Sequence, residues 1–280
     1  MTSRTSFAPG KIILSGEYAV LFGYSGIAVP PSLGVNAVFE EDATPGRVAV
    51  RWEGGEQWQP YVEKIVEACR RKNAELSGTL NIHASLPIGK GMGSSTALII
   101  AVTRALLGED SREAAAKIED TLNPGHSGFD FAAIWENAPI LFSTSAGPRR
   151  TDLSPELLRR AILIDTGLPG ESTTQLVAWM RGRTAGIQEP LEIIEGCTYR
   201  LLQGEPLDAV LREHHKAQVA LGVVPAGVQH LIAAIEEAGG AGKVIGAGSR
   251  TGGAGIVLAA GDREEIGKIA SQRSMPIMTL

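Results

Sequence analysis

Cysteine is scarce: Cys69 and Cys197 are the two in 280 residues, too few to staple a secreted domain and at no spacing a zinc site would use. A reducing, cytoplasmic setting is expected. A basic excess is also lacking, since 26 Lys and Arg against 31 Asp and Glu leave a net charge of −5. Proteins that grip a phosphate backbone show the opposite, so no nucleic-acid partner is expected. Long apolar runs are missing too. The longest, Ala97 to Val102, falls far short of the roughly 20 residues of a membrane span, and Met1 to Gly10 holds no apolar core of a secretion signal. No membrane partner is expected. Finally, Lys11, Lys90, Lys243 and Lys268 each follow a glycine but none precedes Ser or Thr, which excludes a Walker A loop.

What is present is a globular composition, 44% hydrophobic and 20% charged, with 34 glycines that cluster at Gly89 to Gly93 and from Gly239 to Gly255. Glycine concentrated in this way marks backbone that turns sharply or approaches something closely. Strands are read over Lys11 to Leu14, Ile27 to Val29, Val35 to Phe39, Arg47 to Trp52, Leu80 to Ala84, Ala138 to Ser143, Ala161 to Asp165, Gly242 to Ile245 and Gly255 to Ala259. Tyr61, Val62, Ile65, Val66 and Cys69 recur at helical spacing before Arg70-Arg71-Lys72, a basic run that suits a helix C-terminus. Further helices are read over Thr96 to Leu107, Ser111 to Asp120, Thr173 to Arg181, Leu191 to Leu202, Leu207 to Lys216 and Val228 to Ala238. Strands and helices that mix without strict alternation imply an α+β fold. Gly147-Pro148-Arg149-Arg150 reads as a hinge, dividing an N-terminal lobe, 1–150, from a C-terminal lobe, 151–280.

The sharpest chemical signal is Pro87-Ile-Gly-Lys-Gly-Met-Gly-Ser-Ser-Thr96, running into a helix that is apolar on nearly every side. Glycines clear space for an anion, the helix start offers unpaired N–H groups, and serines add hydroxyls, so Lys90, Gly91, Met92, Gly93, Ser94, Ser95 and Thr96 form a candidate phosphate cradle. A bare glycine-rich turn also occurs as plain structure. Three other segments accompany this one: Pro9-Gly10-Lys11 with Gly16-Glu17-Tyr18-Ala19-Val20, Ser127-Gly128-Phe129-Asp130, and Gly246-Ala247-Gly248.

In order and spacing these segments resemble the motif set of the GHMP kinases, named for galactokinase, homoserine kinase, mevalonate kinase and phosphomevalonate kinase. The resemblance runs from residue 7 to 259. It implies a lobe like ribosomal protein S5 domain 2 followed by a ferredoxin-like lobe, with ATP and Mg2+ bound between them. It also implies roles: Asp130 as the base on the acceptor hydroxyl, Lys11 as its cation, Ser95 and Glu119 as magnesium ligands, and Gly246 and Gly248 beside the nucleotide. Glu17, Tyr18 and Thr173 match acceptor-site positions. Ser249-Arg250-Thr251 looks inserted into the last glycine loop.

Inside the family, Leu163 to Val177 and the uninterrupted Val20 to Ala28 resemble the branch that phosphorylates mevalonate. Glu17-Tyr18 and Ser127-Gly128-Phe129-Asp130 read more like the phosphomevalonate branch. Both acceptors stay open, as do a homodimer and a non-catalytic ligand sensor on the same fold. Phosphomevalonate would need extra cations, and Glu17 to Ala28, His126 to Asp130 and Pro169 to Val177 contain no Arg or Lys. Mevalonate is therefore the expected acceptor, with Arg250 as the nearby cation that could reverse the preference.

Overall fold

A computed structural model describes residues 3–42, 46–153, 155–183 and 185–279. Its first sheet has the order β1 (Ser3–Pro9), β4 (Gly34–Glu41), β6 (Gly78–Ala84), β5 (Val48–Trp52), antiparallel except where β5 runs parallel to β6. On it lies α2 (Ser94–Leu107), whose Ala97 to Val102 are all fully buried, between α1 (Gln59–Lys72), α3 (Arg112–Leu122) and α4 (Phe129–Glu136). A helix apolar all round must be covered all round, and each buried Leu or Ile there contributes about 1.5–3 kcal/mol. The buried Ser6 hydroxyl of β1 is satisfied by this helix, donating to the Ala101 carbonyl at 2.6 Å.

A second sheet, β2 (Ile12–Ser15), β3 (Gly26–Val29), β7 (Ile140–Ser143) and β8 (Gly147–Arg150), carries the N-terminal motif. Here one reading of the sequence is corrected and one helix is added. The hinge at 147–150 is the edge strand of a hairpin, with Ile140 opposite Arg150 and Ser143 opposite Gly147. Its exposed arginines belong there because charge protects an edge from further pairing. The Ser127–Asp130 loop continues into α4, a short apolar run whose periodicity alone does not separate helix from strand.

The third sheet has the order β10 (Ala241–Val244), β11 (Ile256–Ala260), β9 (Ala161–Asp165), β12 (Ile277–Thr279), all antiparallel. Four helices, α5 (Thr173–Arg181), α6 (Gln188–Leu202), α7 (Leu207–Leu221) and α8 (Ala226–Glu237), follow β9, and α9 (Arg263–Ser271) joins β11 to β12. Without the extra helices this is the β-α-β-β-α-β arrangement of a ferredoxin-like sheet. Its last helix, absent from the sequence reading, starts where the Asp262 carboxylate accepts from the Glu264 and Glu265 N–H groups.

The two halves are joined through α6, which packs on β2 and β3. The Ser15 hydroxyl donates to the Ile194 carbonyl at 2.6 Å and the Ser25 N–H to Glu195 at 2.9 Å. One continuous core takes Ile12, Leu14 and Ile99 from one half and Leu163, Leu201 and Ile256 from the other.

Candidate active site

Lys11 sits between β1 and β2, where its N–H donates to the Met92 carbonyl of the cradle at 2.9 Å. Its side chain is buried, and Nζ stands 3.4 Å from Asp130 Oδ1. Asp130 is 40% exposed against 3% for Lys11, so the carboxylate faces open space while the cation backs it. Asp130 lies in the first turn of α4, where the positive end of the helix favours negative charge. That helix starts in a fixed way: Gly128 is left-handed, its N–H donates to His126 Nδ1 at 3.0 Å, and the Phe129 N–H donates to Ser127 Oγ at 3.2 Å. Because Nδ1 accepts, the proton of neutral His126 is on Nε2, which lies 2.9 Å from Asp120.

The cradle abuts this pair. Gly93 is the residue before α2, at φ 74°, and a Cβ there would lie 2.8 Å from Ile134 Cδ1 and 3.0 Å from Lys11 Cγ. Only glycine fits, so the lysine stem packs directly on the start of the helix. Ser94 is buried and its Oγ accepts from the Gly89 N–H at 2.9 Å, fixing the turn, and Met92 is buried. Lys90 is held by the C-terminal half: its Nζ is ion-paired with Asp165, and its carbonyl accepts from the Ile256 N–H at 3.2 Å. The last glycine loop meets the cradle back to back, since a Cβ at Gly246 would lie 2.8 Å from the Gly91 carbonyl oxygen. Gly248 does not approach the cradle in that way; its neighbour is the Val223 carbonyl.

Glu119 is buried beside the start of α2. Oε1 accepts from the Thr96 hydroxyl at 2.9 Å, while Oε2 has no partner. The hydroxyl on this carboxylate is therefore that of Thr96, and Ser95 instead stands by the Tyr61 phenol. Burial pushes the Glu119 carboxyl above its ordinary value, against the Thr96 hydrogen bond that lowers it.

The acceptor-side residues fall in different places. Thr173 is exposed at the first turn of α5, after a Ser172–Gln175 capping box. Tyr18, at φ 63°, is buried and donates to the Ala247 carbonyl of the last glycine loop. Burial, then the charges of Glu17 and Glu171, push its phenol far above the usual range. Glu17 is buried in full contact with two groups the sequence did not reveal. Its Oε1 accepts from Lys243 Nζ, which also donates to the Ile13 carbonyl at 3.0 Å, and its Oε2 stands 3.1 Å from His214 Nε2 at an angle that makes no hydrogen bond. Burial raises the Glu17 carboxyl, but Lys243 and then His214 outweigh it and hold it at about 2. The available signal was Lys243 itself, a lysine inside the apolar strand Ala241–Val244.

The inserted Ser249-Arg250-Thr251 has a receptor. Glu171 accepts from Ser249 Oγ at 2.6 Å, the Arg250 N–H at 2.9 Å and Thr251 Oγ1 at 3.0 Å, and these bonds hold its carboxyl at about 2.

Residues 60–136, which span α1 to α4 with the cradle, Glu119 and Asp130, match the GHMP kinases N terminal domain. This stretch is similar to the N-terminal domain of the GHMP kinases. Among similar proteins, the mevalonate kinase of Archaeoglobus fulgidus is 34% identical over 107 residues, 36% of this chain and 37% of that protein. The mevalonate kinase of Thermococcus sibiricus is 26% identical over 284 residues, 85% of this chain and 84% of that one. The solved mevalonate kinase of Methanococcus jannaschii superposes with a TM-score of 0.77 at 17% identity, covering 99% of this chain and 97% of that one. Streptococcus pneumoniae phosphomevalonate kinase, solved with phosphomevalonate and AMPPNP, gives 0.74 at 14% identity over the full length of both. The GHMP kinase fold is thus common to both acceptor branches.

Proposed function

We propose that this chain is an ATP-dependent kinase that transfers the γ-phosphoryl group of ATP to a hydroxyl of mevalonate. The observation that carries this reading is the Lys11–Asp130 pair packed on Gly93, which puts a candidate base one lysine side chain away from a candidate phosphate site. Phosphoryl transfer asks a protein mainly for positioning and charge stabilisation, and these elements supply both. The acceptor hydroxyl oxygen bonds to the γ-phosphorus, the bond to the bridging oxygen breaks, ADP leaves, and the hydroxyl proton passes to Asp130. Lys11 stabilises the negative charge growing on the attacking oxygen. The N–H groups at the start of α2 receive the phosphates. Named relatives that are mevalonate kinases support the choice of acceptor.

Glu119 fits a magnesium ion, because its unpartnered buried oxygen calls for one and the adjoining Thr96 adds a hydroxyl. Among the described residues no group of three or more His, Cys, Asp or Glu side chains could hold a metal, which suits an ion that takes few protein ligands and shares phosphate oxygens. Bound there, magnesium would neutralise phosphate charge. Glu119→Gln is expected to raise the magnesium concentration needed for half-maximal rate several-fold, with the rate recovering at high metal. An unchanged magnesium titration removes Glu119 from that role.

The acceptor is tested by comparing kcat/KM for mevalonate and phosphomevalonate. The second carries about 1.5–2 more negative charges near neutral pH. Mevalonate is expected to be favoured at least about tenfold, equivalent to ~1.4 kcal/mol of transition-state binding. A preference for phosphomevalonate overturns the assignment.

A further inference from the structure

Three arginines surround α5, and the structure gives them different work. Arg183 donates to the Leu221 carbonyl at 2.6 Å and lies over the Trp179 ring at 4.8 Å. Arg250 lies over the same ring at 4.8 Å, its backbone N–H held by Glu171. Arg181 makes no hydrogen bond and no ion pair with the described residues. Its guanidinium nevertheless faces the catalytic loop: a Cβ built on Gly125 would lie 3.6 Å from Arg181 Nη1. Gly125 precedes the Ser127–Asp130 turn, which aims the candidate base.

Helical spacing sorts the same residues. Leu176 and Met180 are buried and define the inward side of α5. Thr173, Val177 and Arg181 recur four apart and so line one flank, while Trp179, with Arg183 and Arg250 on it, lies on the other. Arg181 therefore shares a flank with Thr173, and that flank ends at the catalytic loop. Reading the acceptor segment only as far as Val177 stops one helical turn before this cation.

Resting on the acceptor reading above, we infer that Arg181 is a specificity-determining residue that binds the carboxylate of mevalonate between α5 and the loop before Asp130. A guanidinium presents paired N–H donors that match a carboxylate, and one left without a protein acceptor keeps those donors for a ligand. Arg250, engaged with Trp179 on the opposite flank, is not the cation for this role.

Steady-state kinetics on the full chain tests the inference with Arg181→Ala, Arg181→Lys and a carboxylate-free acceptor, 3-methylpentane-1,3,5-triol. Arg181→Ala is expected to raise KM for mevalonate about 10- to 100-fold, the loss of a charge-assisted contact, with KM for ATP and kcat within a few-fold. Arg181→Lys is expected to recover part of it. The decisive readout is discrimination: the wild type should favour mevalonate over the triol by a similar factor, and Arg181→Ala should treat the two nearly alike. Discrimination that survives in Arg181→Ala overturns the inference, because a merely structural arginine would weaken both acceptors together. Wild-type turnover of mevalonate tests the acceptor reading on its own. If phosphomevalonate is preferred, the acceptor reading falls, but that substrate keeps the same carboxylate and the role of Arg181 is tested separately. Arg181→Ala is then scored on phosphomevalonate, where a raised KM keeps Arg181 as the anion-binding residue and an unchanged KM removes it.

Discussion

Asp130→Asn is expected to lower kcat by about 10²–10⁴ while ATP binds within a few-fold of the wild type. The amide keeps the size and the place at the first turn of α4 but cannot take the acceptor's proton. It also deprives buried Lys11 of the carboxylate 3.4 Å away. The cradle is built from other residues, chiefly the Gly89–Gly93 turn and the start of α2, so nucleotide affinity should persist. Titration of an unreactive ATP analogue beside turnover separates the two effects. Near-normal turnover in Asp130→Asn removes this residue from the chemistry.

Lys243→Met is expected to destabilise the fold by about 3–5 kcal/mol, the usual consequence of stranding a buried charge by deleting its partner. Glu17 would keep only His214 nearby, in a site closed to water. Denaturant unfolding measures this directly, and a loss below about 1 kcal/mol, typical of a surface pair, would mean that Glu17 has another partner. Replacing both residues with apolar ones, Glu17→Leu with Lys243→Met, should restore most of the stability, since a buried ion pair is often no better than well-packed side chains.

The same region sets a pH dependence. Burial, then the charge of His214, depress the His215 imidazole from 6.5 to about 4, and burial first lowers that of His214. His215 takes up a proton on unfolding below about 6.5, so its support is complete above that pH and declines as pH falls toward 4. Glu17, held at about 2, adds stability above its ordinary 4.5 that is lost as pH falls from there toward 2.

The elements legible in the sequence are those whose cause is local. Burial of α2 follows from an apolar run on every side, and α1 from Tyr61, Val62, Ile65, Val66 and Cys69 at helical spacing ahead of Arg70-Arg71-Lys72. The cradle glycines read clearly because positive φ and close approach leave no other choice at Gly93. Contacts across the chain carried no such mark. Glu17 meets Lys243 at a separation of 226 residues, Lys90 meets Asp165 at 75, and Glu171 meets Arg250 at 79. Apart from Lys243 in its apolar strand, these residues look like ordinary polar positions until the chain folds. Arg181 escaped for a related reason, since a family motif ends where its shared residues end and the helix continues for another turn.

The most direct measurement is phosphorus NMR of the full chain with ATP, magnesium and mevalonate, followed by mass spectrometry of the product. One new phosphomonoester on mevalonate, formed mole for mole with ADP in the wild type and essentially absent with Asp130→Asn, is the expected result. ADP released together with inorganic phosphate and no phosphorylated mevalonate, or the same ester formed at wild-type rate by Asp130→Asn, would contradict it.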